Sequence, residues 1–233
     1  LASEADVLIE NFRTGTLARY GLDEPTLRAV SPRLVYCSIT GFGQSGPYAE
    51  RAGYDALVQA MGGLMSITGP DAATPTKVGV AVTDLLTGLY ATIAILAALR
   101  ERETSGCGQH CELSLFDTQV SALANVAMSF LATGVVPAPL GNAHGSIVPY
   151  ETFPTADKPL LLAIGSDAQF AELAACLGEP WARDPRFAEN RARVAHRNEL
   201  VAALGARLRE HPRDEWLRRF AGAGFPHGPV QDL

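Results

Sequence analysis

The chain has 233 residues, of which 47% are apolar and 19% charged, a balance typical of a globular protein with one large core or one domain and part of a second. Its net charge of −6 argues against nucleic acid as a main partner, because phosphate binding needs clustered Lys and Arg. Four scattered cysteines form no disulfide-dense pattern, so a reducing compartment, the cytoplasm, is expected.

The first third of the chain predicts strands that alternate with helices. Residues 5–12 contain the apolar run Val7, Leu8 and Ile9, which indicates a buried strand. A short helix ending near Gly21, a second helix over residues 23–31 and a strand over residues 32–43 follow. This alternation predicts an α/β fold, a Rossmann-like parallel sheet with helices on both faces, in which ligands bind beyond the carboxyl ends of the strands.

Residues 54–66 predict another helix, and residues 77–102 predict a short apolar strand followed by a long buried helix that opens at Asp84. Four apolar residues recur at helical spacing and should form one buried face of this helix: Leu85, Leu89, Ile93 and Leu96. The apolar run of residues 85–99 is shorter than the ~20 residues of a bilayer span, so a core helix and no membrane contact are expected. A strand over residues 110–116 and a helix over residues 117–131 come next.

Asp84 has two interpretations. It could be an N-cap, whose side chain accepts a hydrogen bond from a free N–H group of the first helical turn. It could instead be an ionised carboxylate held at the helix dipole in a cleft, where it acts as a nucleophile. Asp117 opens the next helix in a similar way, and spacing alone does not decide between the two residues.

The sequence does not favour a metal or a nucleotide of the common kinds. Cys107, His110 and Cys111 lie close together, but no second pair of ligands accompanies them, so free thiols and no metal are expected. The GxxxxGK[ST] and HExxH motifs do not occur, and GFGQSG at residues 41–46 fits GxGxxG in spacing alone, because a Gly- and Pro-rich loop and not a helix follows it.

The second half of the chain predicts a separate small domain. Pro, Gly and Asn in residues 133–145 indicate a linker between a large domain, residues 1–132, and a small α+β domain, residues 146–233. Two strands should pair around residues 156–158, and a helix closed by Gly178 should follow. Residues 190–211 and 213–224 predict amphipathic helices whose Arg and Glu side chains form solvated faces.

Six motifs in order resemble the class III CoA-transferases, and together they extend over nearly the whole chain: residues 5–22, 33–55, 77–91, 105–110, 141–153 and 224–230. The resemblance implies that a first βαβ portion of the large domain and a returning C-terminal tail are absent here. It also implies a homodimer of interlocked chains, in the cytoplasm, or in the mitochondrial matrix if the protein is eukaryotic.

The same resemblance implies roles for single residues. Asp84 matches the nucleophile that attacks an acyl-CoA thioester, giving a mixed anhydride and then an aspartyl-CoA thioester. Five residues match positions that contact CoA: Asn11 and Phe12 at its nucleotide, Arg19 near its phosphates, and Tyr54 and Asp55 beside the nucleophile and the pantetheine arm. Taken singly, such residues are more often core aromatics, for Phe12 and Tyr54, and a solvated helix residue, for Arg19, than ligand contacts.

A glycine-containing loop resembles the small-domain loop that closes over the reacting groups, and it contains Gly141, His144 and Gly145. His144 could bind the distal carboxylate of the acceptor, or it could have a conformational role.

The motifs are most similar to those of the succinyl-CoA:glutarate type, so the expected substrates are an acyl-CoA donor such as succinyl-CoA and a dicarboxylic acid such as glutarate. No tightly bound cofactor is expected. One alternative is a racemase of α-methylacyl-CoA, in which a His stands where this chain has Tyr54, and a phenol with a reference pKa of about 10 is a poor replacement. The other alternative is an inactive CoA-binding paralogue.

Overall fold

A computed structural model describes residues 1–233, and the chain forms two compact units, Leu1–Pro139 and Leu140–Leu233. The division falls within residues 133–145. In the first unit the strands and helices are β1 (Val7–Glu10), α1 (Glu24–Val30), β2 (Val35–Thr40), α2 (Asp55–Met61), α3 (Val82–Ser105), β3 (His110–Ser114), α4 (Leu115–Ala122) and α5 (Ala124–Thr133). In the second unit they are β4 (Tyr150–Phe153), β5 (Leu160–Ala163), α6 (Asp167–Leu177), α7 (Asn190–Ala195), α8 (Arg197–Leu208), α9 (Arg213–Arg219) and β6 (His227–Pro229).

The first unit is built on a parallel sheet of three strands in the order β1-β2-β3. On one face, Ala91, Ile95 and Ala98 of α3 pack against Val35 and Cys37 of β2. On the opposite face, α1 and the short 3₁₀ helix Leu17–Tyr20 cover the neighbouring residues of β2. The expected α/β class, with a parallel sheet and helices on both faces, is confirmed.

The strand expected before α3 does not form. Residues 77–81 are irregular, and α3 begins at Val82 rather than at Asp84. The backbone N–H of Val78 donates to the side-chain Oε1 of Gln59 at 2.9 Å, so this segment bonds to a helix side chain instead of to a neighbouring strand.

The expected orientation of α3 is wrong as well. The four apolar residues expected in its core face have about three fifths of their surface exposed. Apart from Ile95, the buried side chains are small or polar: Thr83, Thr87, Ala91, Ala98 and Arg102. Small side chains allow the helix backbone to lie close to the sheet, which leaves the leucines and Ile93 pointing away from it. We call Leu85, Leu89, Ile93 and Leu96 the outer face of α3.

Two further strand and helix predictions need correction. Ile9 is 60% exposed because side chains alternate along β1 and no element of the chain covers it. The single helix expected over residues 117–131 is the pair α4 and α5, whose axes meet at 74°. Ala124, at the break, has a positive φ of 46°.

By length and composition alone, α3 could cross a membrane, and so could α4 and α5 if this bent pair were one span. Core helices of soluble proteins pass the same test, so the observation is weak evidence for a membrane span.

The second unit combines an antiparallel sheet, β4-β5-β6, with helices around an aromatic core. Trp216, Phe170, Phe153 and Phe220 are fully buried in that core. The unit is α+β, as expected, although β6 was not predicted, and the helix expected over residues 190–211 is broken at His196 into α7 and α8.

The solvated face expected for these helices is wrong at Arg193, which is fully buried. Its guanidinium donates to the carbonyl oxygens of Val148 and Phe187 at 2.7 and 2.9 Å and to Oδ1 of Asp167 at 2.7 Å. It also lies over the ring of Phe170, 4.4 Å from the ring centroid. These bonds tie α7 to the segment that precedes β4 and to the first turn of α6.

Candidate active site

A cleft of about 490 Å³ lies in the first unit, beyond the carboxyl ends of the strands. Its lining comes from the residues that follow β1 and β2 and from the first two turns of α3: Asn11, Phe12, Arg13, Gly41, Gly53, Tyr54, Asp84, Thr87 and Gly88, among others. Strands of a parallel sheet end at one edge, so residues distant in sequence meet there. This is the location that the order of the elements predicted.

Two glycines bring the loop after β2 against the loop before α2. A Cβ atom added to Gly41 would lie 2.5 Å from the Cα of Gly53, and one added to Gly53 would lie 2.4 Å from the Cα of Gly41. The two backbones therefore touch without side chains between them. This contact places Tyr54 and Asp55, which follow Gly53, at the end of β2.

Asp84 is the third residue of α3 and is exposed to the cleft. The N-cap position is Ala81, whose side chain makes no capping bond, and no hydrogen bond from another group of the chain reaches the Asp84 carboxylate. Partial burial raises the pKa of Asp84, and the negative charge of Asp55 raises it further. The Asp84 carboxylate therefore has no hydrogen-bond partner within the chain and is more basic than an ordinary Asp carboxylate.

Asp117 is engaged in capping instead. The Ser114 hydroxyl, at the N-cap of α4, accepts from the Asp117 backbone N–H at 3.0 Å and donates to Oδ2 of Asp117 at 2.6 Å. Asp117 does not line the cleft. Of the two aspartates that spacing could not separate, only Asp84 presents a free carboxylate to a cavity.

The other predicted contacts of CoA are divided between the cleft and the surface. Asn11, Phe12 and Tyr54 line the cleft, and Phe12 and Tyr54 are 55% and 75% exposed, so neither is a core aromatic. Arg19 is exposed on the 3₁₀ helix Leu17–Tyr20 and does not line the cleft, which agrees with a solvated helix residue. Contacts between these residues and CoA stay predictions.

The carboxylate of Asp55 is used within the protein. Its Oδ1 accepts from the backbone N–H of Thr83 at 2.8 Å, and its Oδ2 accepts from Nε2 of Gln59 at 2.7 Å. Both oxygens therefore have partners before any ligand binds.

The predicted site residues did not include two arginines and a glycine that line the cleft. Arg13 and Arg51 bring two positive charges to its wall, with Arg13 donating to the carbonyl oxygen of Glu50 at 3.2 Å and Arg51 lying 4.8 Å from the ring centroid of Tyr48. Gly88 lies one turn beyond Asp84, and a Cβ added there would meet no atom within 4 Å. Helical spacing from Asp84 could have identified Gly88, because residues four apart share a face.

The loop of residues 141–145 belongs to the second unit. The His144 ring stacks on Tyr150 with centroids 5.2 Å apart and planes at 2°, and its Nδ1 accepts from the Ser146 backbone N–H at 3.2 Å. The neutral ring therefore carries its proton on Nε2, which is left as a donor. Arg197 of α8 donates to the carbonyl oxygens of His144 and Gly145, at 2.8 and 3.1 Å, and so fixes the end of the loop. At the start of the loop, Gly141 has a left-handed backbone with a φ of +59°.

No group of three or more His, Cys, Asp and Glu side chains is placed to hold a metal ion. His110 and Cys111, which were considered as metal ligands, are neighbours in β3, and neighbouring residues of a strand point to opposite faces of the sheet. His110 accordingly bonds through Nε2 to the Ser38 hydroxyl at 2.9 Å, whereas Cys111 packs towards the α3 side.

Comparison with known proteins identifies the family. The family model described as CoA-transferase family III matches residues 1–233. The chain is 48% identical to a succinate–glutarate CoA-transferase of Agrobacterium fabrum and 43% identical to a succinyl-CoA:glutarate CoA-transferase of Mus musculus, in each case over all of this chain and over 58% and 54% of the relative.

A crystal structure of a CAIB/BAIF family protein from Brucella suis is similar with a TM-score of 0.89 and 50% identity, over 99% of this chain and 61% of that one. The chain thus spans somewhat more than half the length of these relatives. With a family match over every residue and relatives that are CoA-transferases by name, the chain belongs to CoA-transferase family III.

Proposed function

We propose that the protein transfers CoA from an acyl-CoA donor, succinyl-CoA being the favoured one, to a dicarboxylic acid such as glutarate, with Asp84 as the nucleophile. The free carboxylate of Asp84 at the wall of the cleft is the observation that carries the proposal. The names of the two relatives support the choice of substrates.

The proposed reaction has four acyl transfers. The Asp84 carboxylate attacks the thioester carbonyl of the donor, which forms a mixed anhydride and releases CoA thiolate. The thiolate attacks the aspartyl carbonyl, forming an aspartyl-CoA thioester and releasing the donor acid. The acceptor carboxylate then attacks this thioester, and the thiolate that leaves attacks the acceptor's carbonyl in the new anhydride, which frees Asp84. A carboxylate suits this sequence because the anhydride and the thioester both retain the activation of the acyl group.

The residues of the cleft support binding of an anionic thioester. Arg13 and Arg51 are the cations at its wall, and both can pair with phosphate or carboxylate oxygens. Asn11, Phe12 and Tyr54 offer an amide and two exposed aromatic faces, and they remain the proposed contacts of CoA, with Arg19 as a proposed phosphate contact on the surface. His144 presents an Nε2–H donor of the kind that an acceptor carboxylate requires.

We further propose a homodimer of interlocked chains, as the family resemblance implies. The outer face of α3 supports this assembly, because four large apolar side chains on one helix face are costly to leave in water. All four thiols are free, which supports the proposed reducing compartment, the cytoplasm or, in a eukaryote, the mitochondrial matrix. No tightly bound cofactor takes part in the proposed reaction.

The first experiment compares two isosteric variants, Asp84→Asn and Asp117→Asn. We expect Asp84→Asn to lower the rate of CoA transfer by at least about 10³-fold, because the amide cannot form the anhydride. We expect Asp117→Asn to keep the rate within about threefold, since the Asp117 carboxylate bonds to the N-cap hydroxyl of Ser114 and does not line the cleft. The measurement is the initial rate with succinyl-CoA and glutarate, together with hydroxylamine trapping of the acyl-enzyme.

If Asp84→Asn transfers CoA at a near-normal rate and Asp117→Asn is inactive, the assignment of the nucleophile to Asp84 is wrong. If hydroxylamine traps a hydroxamate at Asp84 but no dicarboxylate accepts CoA, Asp84 is supported as the nucleophile and the proposed acceptor class is wrong. Exchange of an α-proton with deuterated water, without CoA transfer, would instead indicate the racemase reaction.

A further inference from the structure

The first turn of α3 has no cap of its own. The N-terminal N–H groups of a helix need acceptors from outside the helix, and Ala81 at the N-cap offers no side-chain oxygen. Asp84, at the third position, is the nearest acidic side chain on α3 itself. A carboxylate at that position can turn back towards the free N–H groups, as the acidic residue of a capping box does.

Asp55 of α2 supplies the missing acceptor. Its Oδ1 accepts the Thr83 backbone N–H at 2.8 Å, one residue before Asp84. The acceptor thus comes from a neighbouring helix, 28 residues earlier in the chain.

A second pair of hydrogen bonds orients Asp55. Its Oδ2 accepts from Nε2 of Gln59 at 2.7 Å, and Oε1 of Gln59 accepts from the Val78 backbone N–H at 2.9 Å. Gln59 is fully buried, and its amide has the donor facing Asp55 and the acceptor facing Val78. The amide cannot be reversed without placing two acceptors or two donors face to face. The arrangement fixes α2, the segment before α3 and the start of α3 relative to one another.

We infer that Asp55 is a positioning residue for the transfer reaction: it caps α3 from the neighbouring helix and thereby keeps the Asp84 carboxylate uncapped and directed into the cleft. This inference rests on the proposed function of Asp84. It also differs from the role in CoA binding that the family resemblance implies for Asp55, because both oxygens of Asp55 already have partners.

The negative charge of Asp55 has a second effect on its neighbour. It adds to burial in raising the pKa of Asp84, which makes the ionised carboxylate more basic. The cleft wall also carries Arg13, Arg51 and Tyr54, and every variant below retains these groups.

The test is the variant Asp55→Asn. The oxygen of the new amide can still accept from Thr83, but the amide nitrogen then faces the Nε2 donor of Gln59, so the orienting bond is lost. We expect kcat to fall by about 10- to 100-fold, with KM for succinyl-CoA changed by less than about threefold, since misplacement of a reacting group acts on the chemical step. We also expect the acid limb of the kcat–pH profile to move to lower pH, because removal of the Asp55 charge lowers the pKa of Asp84.

The double variant Asp55→Asn with Gln59→Glu provides the rescue. The new carboxylate at position 59 accepts from the Val78 N–H and from the new amide nitrogen at position 55, and the oxygen of that amide accepts from Thr83. All three hydrogen bonds are therefore restored, and the bond between positions 55 and 59 is reversed in direction, with position 55 now donating. We expect kcat to recover to within about fivefold of the unmodified protein. Asp71→Asn is the matched control, since Asp71 forms only an exposed turn through the Ala73 N–H, and its kinetics should stay unchanged.

The outcomes separate the inference from the proposed function. If Asp84→Asn abolishes transfer while Asp55→Asn behaves like Asp71→Asn, the inference alone fails. If Asp55→Asn raises KM for succinyl-CoA with kcat unchanged, Asp55 is a CoA contact and not a positioning residue. If the single variant does not fold, the double variant decides: restored transfer supports the inference, and a folded but inactive double variant overturns it. Full transfer activity of Asp84→Asn would contradict the proposed function itself.

Discussion

Two carboxyl groups, Asp84 and Asp157, have pKa values displaced in opposite directions. Partial burial and the charge of Asp55 raise the pKa of Asp84. Asp157 accepts hydrogen bonds from the backbone N–H of Arg213 and from the Thr155 hydroxyl, which lower its pKa. The fold therefore disfavours the charge of the proposed nucleophile and favours the charge of a carboxylate that ties α9 to the loop before β5.

The first residue-scale prediction concerns stability at Asp84. A carboxyl whose pKa is raised by folding stabilises the fold below its unfolded-state pKa, and this contribution is lost as the pH rises through the folded-state pKa. At pH 7 the ionised Asp84 therefore costs stability. We expect Asp84→Asn to raise the free energy of unfolding at about pH 7 by up to about 0.5 kcal/mol, a small gain because the group is exposed, and to make no difference near about pH 4.

Urea unfolding of both proteins at the two pH values measures this effect. A variant less stable than the unmodified protein at neutral pH would show that the carboxylate makes a stabilising contact. Asp157→Asn serves as a control of opposite sign: it should lower stability at neutral pH, and the difference should fade as the pH falls through the lowered folded-state pKa.

At the scale of single elements, the buried Arg193 of α7 is the contact that we expect to matter most for the second unit. Arg193→Met leaves the carbonyl oxygens of the buried residues Val148 and Phe187 without their donor, and each buried acceptor left unsatisfied costs about 1–3 kcal/mol. The Asp167 carboxylate is half-exposed and can bind water instead, so its loss of Arg193 adds little. Arg193→Lys should also destabilise, because an ammonium group cannot reproduce the branched geometry of the guanidinium.

Tryptophan fluorescence during urea unfolding reports this effect directly, because both tryptophans, Trp181 and Trp216, lie in the second unit. Arg191→Met is the matched control, two residues away on the same helix and exposed, and we expect it to change stability by no more than about 0.5 kcal/mol. Equal effects of the two substitutions would mean that the hydrogen bonds of Arg193 contribute little.

The sequence allowed the parallel sheet, α1, α6 and the antiparallel pair in the second unit to be predicted, because local composition and turn residues agree with the final structure at each of them. Gly21 and Gly178, for example, end their helices with left-handed backbone, as their positions indicated. The orientation of α3 could not be predicted, since the spacing of its leucines shows that a face is apolar but not what covers it.

At the site, the choice between Asp84 and Asp117 had a sequence signal that residue spacing alone did not use. Ser114 stands three residues before Asp117 and completes a capping pattern, whereas Ala81 stands three residues before Asp84. The role of Asp55 as the acceptor for Thr83 depends on contact between two helices and has no local signal.

At the scale of the whole molecule, the outer face of α3 is a row of four exposed apolar side chains on the first unit. Leu89 and Ile93 are each 62% exposed at its centre. We expect the chain of residues 1–233 to bind a hydrophobic dye and to self-associate, because these side chains gain free energy when they leave water. The double variant Leu89→Glu, Ile93→Glu should weaken dye fluorescence and shift the protein towards monomers in sedimentation experiments.

Val30→Glu is the control, since Val30 is 70% exposed on α1, outside this face. If it reduced association as strongly as the double variant, net charge and not the outer face of α3 would be the cause.

The touching backbones of Gly41 and Gly53 have a consequence for engineering this protein. Because the main chain alone sets the separation of the two loops, changes to the side chains around them can alter what the cavity accepts without altering its width. The Cβ of an alanine at either glycine would clash with the facing backbone, which would push the loops apart and move Tyr54 away from the end of β2. The pair is therefore the position at which a single methyl group would change the separation of two loops that line the cleft.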